Sequence, residues 1–151
     1  MMTLPERILS QLQAADSTRP LWLVVGCLPI DMTQAFLDLA QRMAYPYINV
    51  GLVLSPPLLA VAEPHRPIHV RRLLAELMDE HAAKVMLLDH IELLFNPVLK
   101  QDPLRLLQRV NRNCTLVVAW PGQVEPNHLI YAEPNHPEYR RYPMGGLNLI
   151  E

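Results

Sequence analysis

Gly26, Asp31, Met32 and Thr33 stand where a phosphate-binding loop of the pattern G-x-x-x-x-G-K-[ST] carries Gly, Gly, Lys and Ser or Thr. An apolar segment, Leu21–Val25, runs straight into Gly26. In a working loop the backbone N–H groups wrap the phosphates, a lysine ammonium neutralises them, and the last hydroxyl ligates magnesium. Here the frame is kept, but Asp31 replaces the second glycine and Met32 the lysine. Pro29 removes one N–H donor from the loop. Asp31 lacks the dihedral freedom of glycine and puts a negative charge where phosphate would sit. Two readings stay open. Gly26, Asp31, Met32, Thr33 and Asp89 form a vestigial nucleotide site, or Gly26–Thr33 is an ordinary strand-to-helix turn capped by Asp31.

The acid in that set closes a second apolar run, Val85-Met86-Leu87-Leu88-Asp89, and is followed by His90 and Glu92. An acid at the end of a buried strand is what orders magnesium in P-loop proteins, so Thr33 and Asp89 are the expected ligands if that ion binds. Asp89, His90 and Glu92 are the candidate catalytic groups; the alternative is a helix cap after a buried strand. Arg109, Arg112, Arg140 and Arg141, set among asparagines and tyrosines, are candidates for contact with a partner or nucleic acid, against the alternative of a solvated surface. His65 and His69 are four apart with Pro67 between them, which predicts that they do not share a helical face. No cysteine joins a histidine pair at metal-ligand spacing, and no G-x-S-x-G elbow is present.

Positioning these residues takes alternating strands and helices. Apolar runs predict strands at Leu21–Val25, Tyr47–Leu54, Lys84–Asp89 and Thr115–Ala119, with a last short one at Asn127–Ile130. Helical spacing predicts helices at Pro5–Ala15 within residues 1–18, at Asp31–Ala44 with its start at Pro29 or Asp31, and at Val70–His81, Ile91–Phe95 and Pro103–Val110. Pro56–Val61 is expected to give at most one or two turns. Residues 123–151 read as a Pro- and Tyr-rich tail packed on the domain, unassigned from Tyr131 onward. The alternation predicts an α/β, three-layer domain over residues 1–151 with a mostly parallel central sheet. Ligands of such sheets bind at the carboxyl ends of the strands, which would put Gly26–Thr33, Ser55, Asp89 and Trp120 on one rim.

A chain of 151 residues, 50% apolar and only 19% charged, is expected to form one packed domain with a face for a partner. The net charge of -2 gives no global attraction to nucleic acid. Cys27 and Cys114 read as reduced thiols of a cytoplasmic protein. The opening MMTLPERILSQLQ lacks the apolar run of a secretory signal, and no stretch is long and apolar enough to span a membrane.

Across nearly its whole length the chain resembles the small P-loop-containing proteins of type 3 BREX systems, a bacterial phage-exclusion defence. The resemblance rests on Leu21–Thr33, on YPYINVGLVLS at Tyr45–Ser55, on LLDHIELLFNPVLKQDPLRLLQ at Leu87–Gln108, on NCTLVVAWPG at Asn113–Gly122 and on YAEPNHPEYRRY at Tyr131–Tyr142. It implies a P-loop NTPase-like domain of the AAA+ or RecA-like kind. Gly26 and Thr33 then match the ends of the phosphate loop, and Asp89 the acid of the second nucleotide motif. Asp31 and Met32 depart from the family's Gly and Lys, a degenerate Walker A motif. That departure implies a non-hydrolysing accessory subunit that binds no cofactor, or Mg-ATP or Mg-ADP weakly. The alternatives are a divergent ATPase and a DNA-handling accessory protein. The implied partners are a DNA methyltransferase, a phosphatase-like protein and a helicase-type component, with further copies of the chain and DNA as other possibilities.

Overall fold

The computed structural model of the protein describes residues 1–14, 20–111 and 114–151; Arg112 and Ala15 lie outside the described residues. Thr3 and Glu6 open the first helix, α1 (Leu4–Ala14), as a reciprocal cap. The Glu6 N–H donates to Thr3 Oγ1 at 3.3 Å, and the Thr3 N–H to Glu6 Oε2 at 3.0 Å. The chain continues through β1 (Leu21–Val24), α2 (Pro29–Met43), β2 (Tyr47–Asn49), α3 (Val50–Leu59), α4 (Arg66–His81) and β3 (Val85–Asp89). Then come 3-10 turns at Ile91–Phe95 and Pro97–Leu99, α5 (Pro103–Val110), β4 (Thr115–Ala119), β5 (Gln123–Glu125), β6 (His128–Tyr131), β7 (Arg140–Pro143) and β8 (Leu149–Ile150).

Five strands form a wholly parallel sheet in the order β2-β3-β4-β1-β8. Alternate residues of each strand face opposite ways, and both faces are buried, as parallel sheets require. Trp22, Val24, Leu87, Val117 and Ala119 pack with Ile8 of α1 and with Met32, Phe36 and Leu39 of α2. Leu21, Leu23, Met86, Leu88, Leu116 and Val118 pack on the other side with Leu54 of α3, Leu74 of α4 and Leu107 of α5. The result is helices, sheet, helices: an α/β domain of three layers. From β1 the chain crosses over β4 and β3 to the far edge at β2, so α2 passes above the end of β3. That path decides where Thr33 lands.

Three elements differ from the sequence reading. The second strand stops at Asn49, and the apolar run that follows is α3, not strand. Asn49 Oδ1 accepts the Leu52 N–H at 3.0 Å and caps the helix. An apolar run without period fits helix and strand alike, and here the cap decides. Ser55 is therefore mid-helix, its hydroxyl bonded to the Gly51 carbonyl at 2.5 Å, and not on a strand-end rim. The helix predicted from Val70 begins one turn earlier at Arg66, because Pro67 falls in the first turn, where its missing N–H is harmless.

The region after Trp120 supplies strands to both sheets. β5, β6 and β7 make a separate antiparallel sheet, and β8 completes the parallel one beside β1. Aromatic contacts fasten the small sheet: Phe95 stacks on Tyr131 at 3.8 Å, and Trp120 meets Tyr142 edge-on at 5.9 Å. Trp120 itself is buried and donates Nε1–H to the Ile130 carbonyl at 3.2 Å, so it belongs to the core and not to an open rim. Among the described residues no helix is long and apolar enough to cross a membrane.

Candidate functional site

Asp89 ends β3 at 4% exposure and is the one buried charged residue among those described. A carboxylate in such a place must be satisfied by donors. Thr33 Oγ1 donates to Oδ2 at 2.6 Å, and Tyr47 Oη donates to the same oxygen at 2.7 Å. The His90 backbone N–H donates to Oδ1 at 3.0 Å. Three elements thus converge on one carboxylate: α2 through Thr33, β2 through Tyr47, and the turn after β3 through His90. Burial pushes the Tyr47 phenol well above its ordinary range, and the hydrogen bond and charge of Asp89 push it further, against a smaller opposing effect of Thr33.

His90 takes a left-handed backbone conformation at φ 55°, unusual for a residue other than glycine. Its carbonyl accepts the Gly51 N–H at 3.1 Å, which ties the turn to the start of α3. Its ring lies between two acids, Nε2 at 3.6 Å from Asp89 Oδ2 and Nδ1 at 3.7 Å from Glu92 Oε2. The His90 and Glu92 side chains are 41% and 48% exposed, so only Asp89 is withdrawn from water. The candidate catalytic trio Asp89, His90 and Glu92 is therefore brought together. Tyr47, the fourth member, carries no motif of its own. It enters because β2 pairs with β3 in the register Asn49↔Asp89.

The loop residues are placed differently. β1 and α2 are joined by residues 25–28, and α2 is helical from Pro29, so Ile30 to Thr33 form its first turns. The first helical bond runs from the Met32 N–H to the Leu28 carbonyl at 3.0 Å. Residues that would wrap phosphate in a cradle are thus spent on helix. Met32, in the lysine position, is 3% exposed and packs with Val24 and Phe36, whereas Asp31 is exposed in the first turn. Leu28 and Ile30 beside it are 65% and 63% exposed. Gly26 has φ +74°, and a side chain there would meet Glu151, whose Oε1 lies 3.0 Å from the position of a Cβ. Burial pushes the Cys27 thiol above its ordinary value; Arg7 opposes that shift, and Asp31 and Glu151 add to it. Two carboxylates therefore bear on the loop that would have to accept an anion.

Thr33 and Asp89, the expected magnesium ligands, are bonded to each other. Asp89 is the carboxylate that Thr33 meets, with Glu92 across the His90 ring, and no group of three or more acidic, histidine or cysteine side chains suited to a metal occurs among the described residues. Magnesium takes most of its octahedral oxygen ligands from water and phosphate, so Thr33 and Asp89 would supply at most one or two of them.

Of the four candidate contact arginines the structure describes Arg109, Arg140 and Arg141. Arg140 donates to the Gln101 carbonyl at 3.0 Å and lies 3.9 Å from Asp102, whereas Arg141, its neighbour on β7, meets His128 Nδ1 at 3.3 Å. Arg109 is on α5, beside Arg105 and Lys100. Compared with protein-family models, with curated proteins and with solved structures, the chain gives no match.

Proposed function

We propose that this chain is a P-loop NTPase-like domain whose nucleotide site has become structural, acting as a non-hydrolysing accessory subunit of a phage-exclusion complex. The reading rests on the resemblance of the motifs to type 3 BREX proteins. The single observation that carries its non-hydrolysing part is the start of α2 at Pro29, with Met32 in the core. A lysine at the phosphates would have to emerge from that buried position.

An assembly role has its own support. Leu52, Val53 and Leu59 of α3 are 73%, 44% and 72% exposed, while Val50, Leu54 and Leu58 of the same helix are buried. A helix apolar on both faces has the composition of one covered on both sides. The proposed cover is another protein of the complex, whose expected members are the methyltransferase, the phosphatase-like protein and the helicase-type component.

A second reading, a divergent ATPase, is favoured by the meeting of Thr33 and Asp89 at 2.6 Å, the two groups a magnesium-bound triphosphate would need. Phage exclusion in a host that carries the remaining components separates the two. Asp89→Asn, expressed in soluble form, is expected to keep protection, and Leu52→Glu with Leu59→Glu to abolish it. Loss of protection in soluble Asp89→Asn, with the α3 variant active, would transfer the function to the ATPase reading.

A further inference from the structure

A group of cations outside any ion pair lies away from the Asp89 site, between α4 and α5. Arg71 of α4, Lys100 of the connecting segment, and Arg105 and Arg109 of α5 line a groove of about 520 Å³, with Asp102 as its one acid. Asp102 is already engaged. It accepts the Arg105 N–H at 3.3 Å and the Tyr142 hydroxyl at 3.0 Å, and Arg140 lies 3.9 Å away. None of the four lining cations belongs to an ion pair among the described residues, and all four are exposed. Arg105 and Arg109 are one helical turn apart, so their side chains leave α5 as neighbours about 5–6 Å apart. Buried Leu106 and Val110 form the apolar floor between them and α4. Asp79 lies further along α4, on a neighbouring hollow shared with Lys84.

Holding four like charges around one concavity is unfavourable unless an anion completes it. Guanidinium forks match phosphate oxygens in pairs. A terminal phosphate carries a charge of about -1.5 to -2 and each bridging one about -1, so a di- or triphosphate brings roughly -3 to -4 against four cations. The volume is that of a small-molecule site. No aromatic side chain lines the groove, so it offers no stacking platform for bases of a single strand, and the chain's net charge of -2 does not draw in a long polyanion.

We propose that the α4–α5 groove binds the di- or triphosphate group of a small molecule, with Arg71, Arg105 and Arg109 as phosphate ligands and Lys100 closing one end. This site is separate from the loop at Gly26 and does not depend on the reading of that loop.

Calorimetric titration of the purified protein with inorganic tripolyphosphate at low salt tests it, with ATP titrated in parallel. One-site binding is expected, weakened about tenfold or more in Arg105→Gln with Arg109→Gln. Arg42→Gln removes a cation that is paired with Asp38 on α2, and it is expected to leave binding unchanged. All these side chains are exposed, and unchanged thermal melting confirms that the variants fold. Tripolyphosphate bound more tightly than ATP marks a free oligophosphate as the ligand; the reverse marks a nucleotide. Absence of tripolyphosphate binding, equal weakening by Arg42→Gln and by the arginine pair, or binding of duplex DNA alone would overturn the proposal. ATP binding lost in Thr33→Val and kept in the arginine pair would overturn the reading of the loop as inactive, while the tripolyphosphate titration still decides the groove.

Discussion

Removing the Thr33 hydroxyl separates a structural role at Asp89 from a catalytic one. Thr33→Val keeps the shape and the branching of the side chain and deletes only the donor. In the folded protein that donor sits 2.6 Å from an oxygen of a carboxylate that is 4% exposed. A hydrogen bond to a charged group contributes about 1.5–3 kcal/mol, and leaving a buried acceptor short of a partner adds to the loss. Asp89 keeps two donors, Tyr47 and the His90 N–H, so a loss near the middle of that range is expected, about 2 kcal/mol. For a chain of this length that is a fall of roughly 4–8 °C in melting temperature. Chemical denaturation of ligand-free Thr33→Val, Asp89→Asn and the double variant gives the coupling directly. The double variant should be less destabilised than the sum by about 1 kcal/mol or more. A Thr33→Val protein within about 0.5 kcal/mol of the parent, the range of ordinary surface substitutions, would refute the reasoning.

Three further outcomes follow from the same geometry. Met32→Lys should not restore a nucleotide site; it places an ammonium among Val24 and Phe36, and denaturation should show a loss of at least about 2 kcal/mol with no gain of ATP binding. Gly122→Ala puts a methyl group into the Ile130 carbonyl, so the β5–β6 pairing must shift, and reduced expression or a clearly lower melting temperature is expected. Tyr47, Tyr131 and Tyr142 all have phenols pushed above the ordinary value, Tyr131 to about 12, chiefly by burial. A raised folded-state value means stability is fully present below about pH 10 and falls as pH rises toward the folded value. Denaturation at pH 9 to 12, in steps of about one unit, should show that decline, and Tyr142→Phe should flatten it.

The strand that ends in Asp89 and the one that leads into Trp120 were legible because Val85–Asp89 and Thr115–Ala119 are short, mostly apolar runs, the first set between Lys84 and His90 and the second broken by Trp120-Pro121-Gly122. The meeting of Thr33 and Asp89 was legible as a pair of spaced motif positions, although the hydrogen bond between them was not. Met32 shows how a motif frame hides a simpler pattern. Met32, Ala35, Phe36 and Leu39 are the buried stripe of α2, so helical period alone assigns Met32 to the core. Tyr47 could not be found without the β2–β3 register, which no local pattern encodes. β8 is only two residues long, and its place beside β1 depends on contacts such as the Asn148 side chain to the Leu21 carbonyl, 127 positions away. No local pattern in the sequence encodes the cationic groove either. Arg71 and Arg105 are far apart in the chain, and only the packing of α4 against α5 joins them.

The central claim is that the Gly26–Thr33 segment is a helix start held to Asp89 and not a nucleotide cradle. Backbone amide NMR during a Mg-ATP titration tests this most directly, because it reports where any nucleotide binds as well as whether it does. The account predicts unmoved amide signals for Gly26, Cys27 and Thr33 up to millimolar nucleotide, with any shifts confined to the α4–α5 groove. Saturable shifts at Gly26, Cys27 and Thr33 that vanish in Asp89→Asn would contradict it.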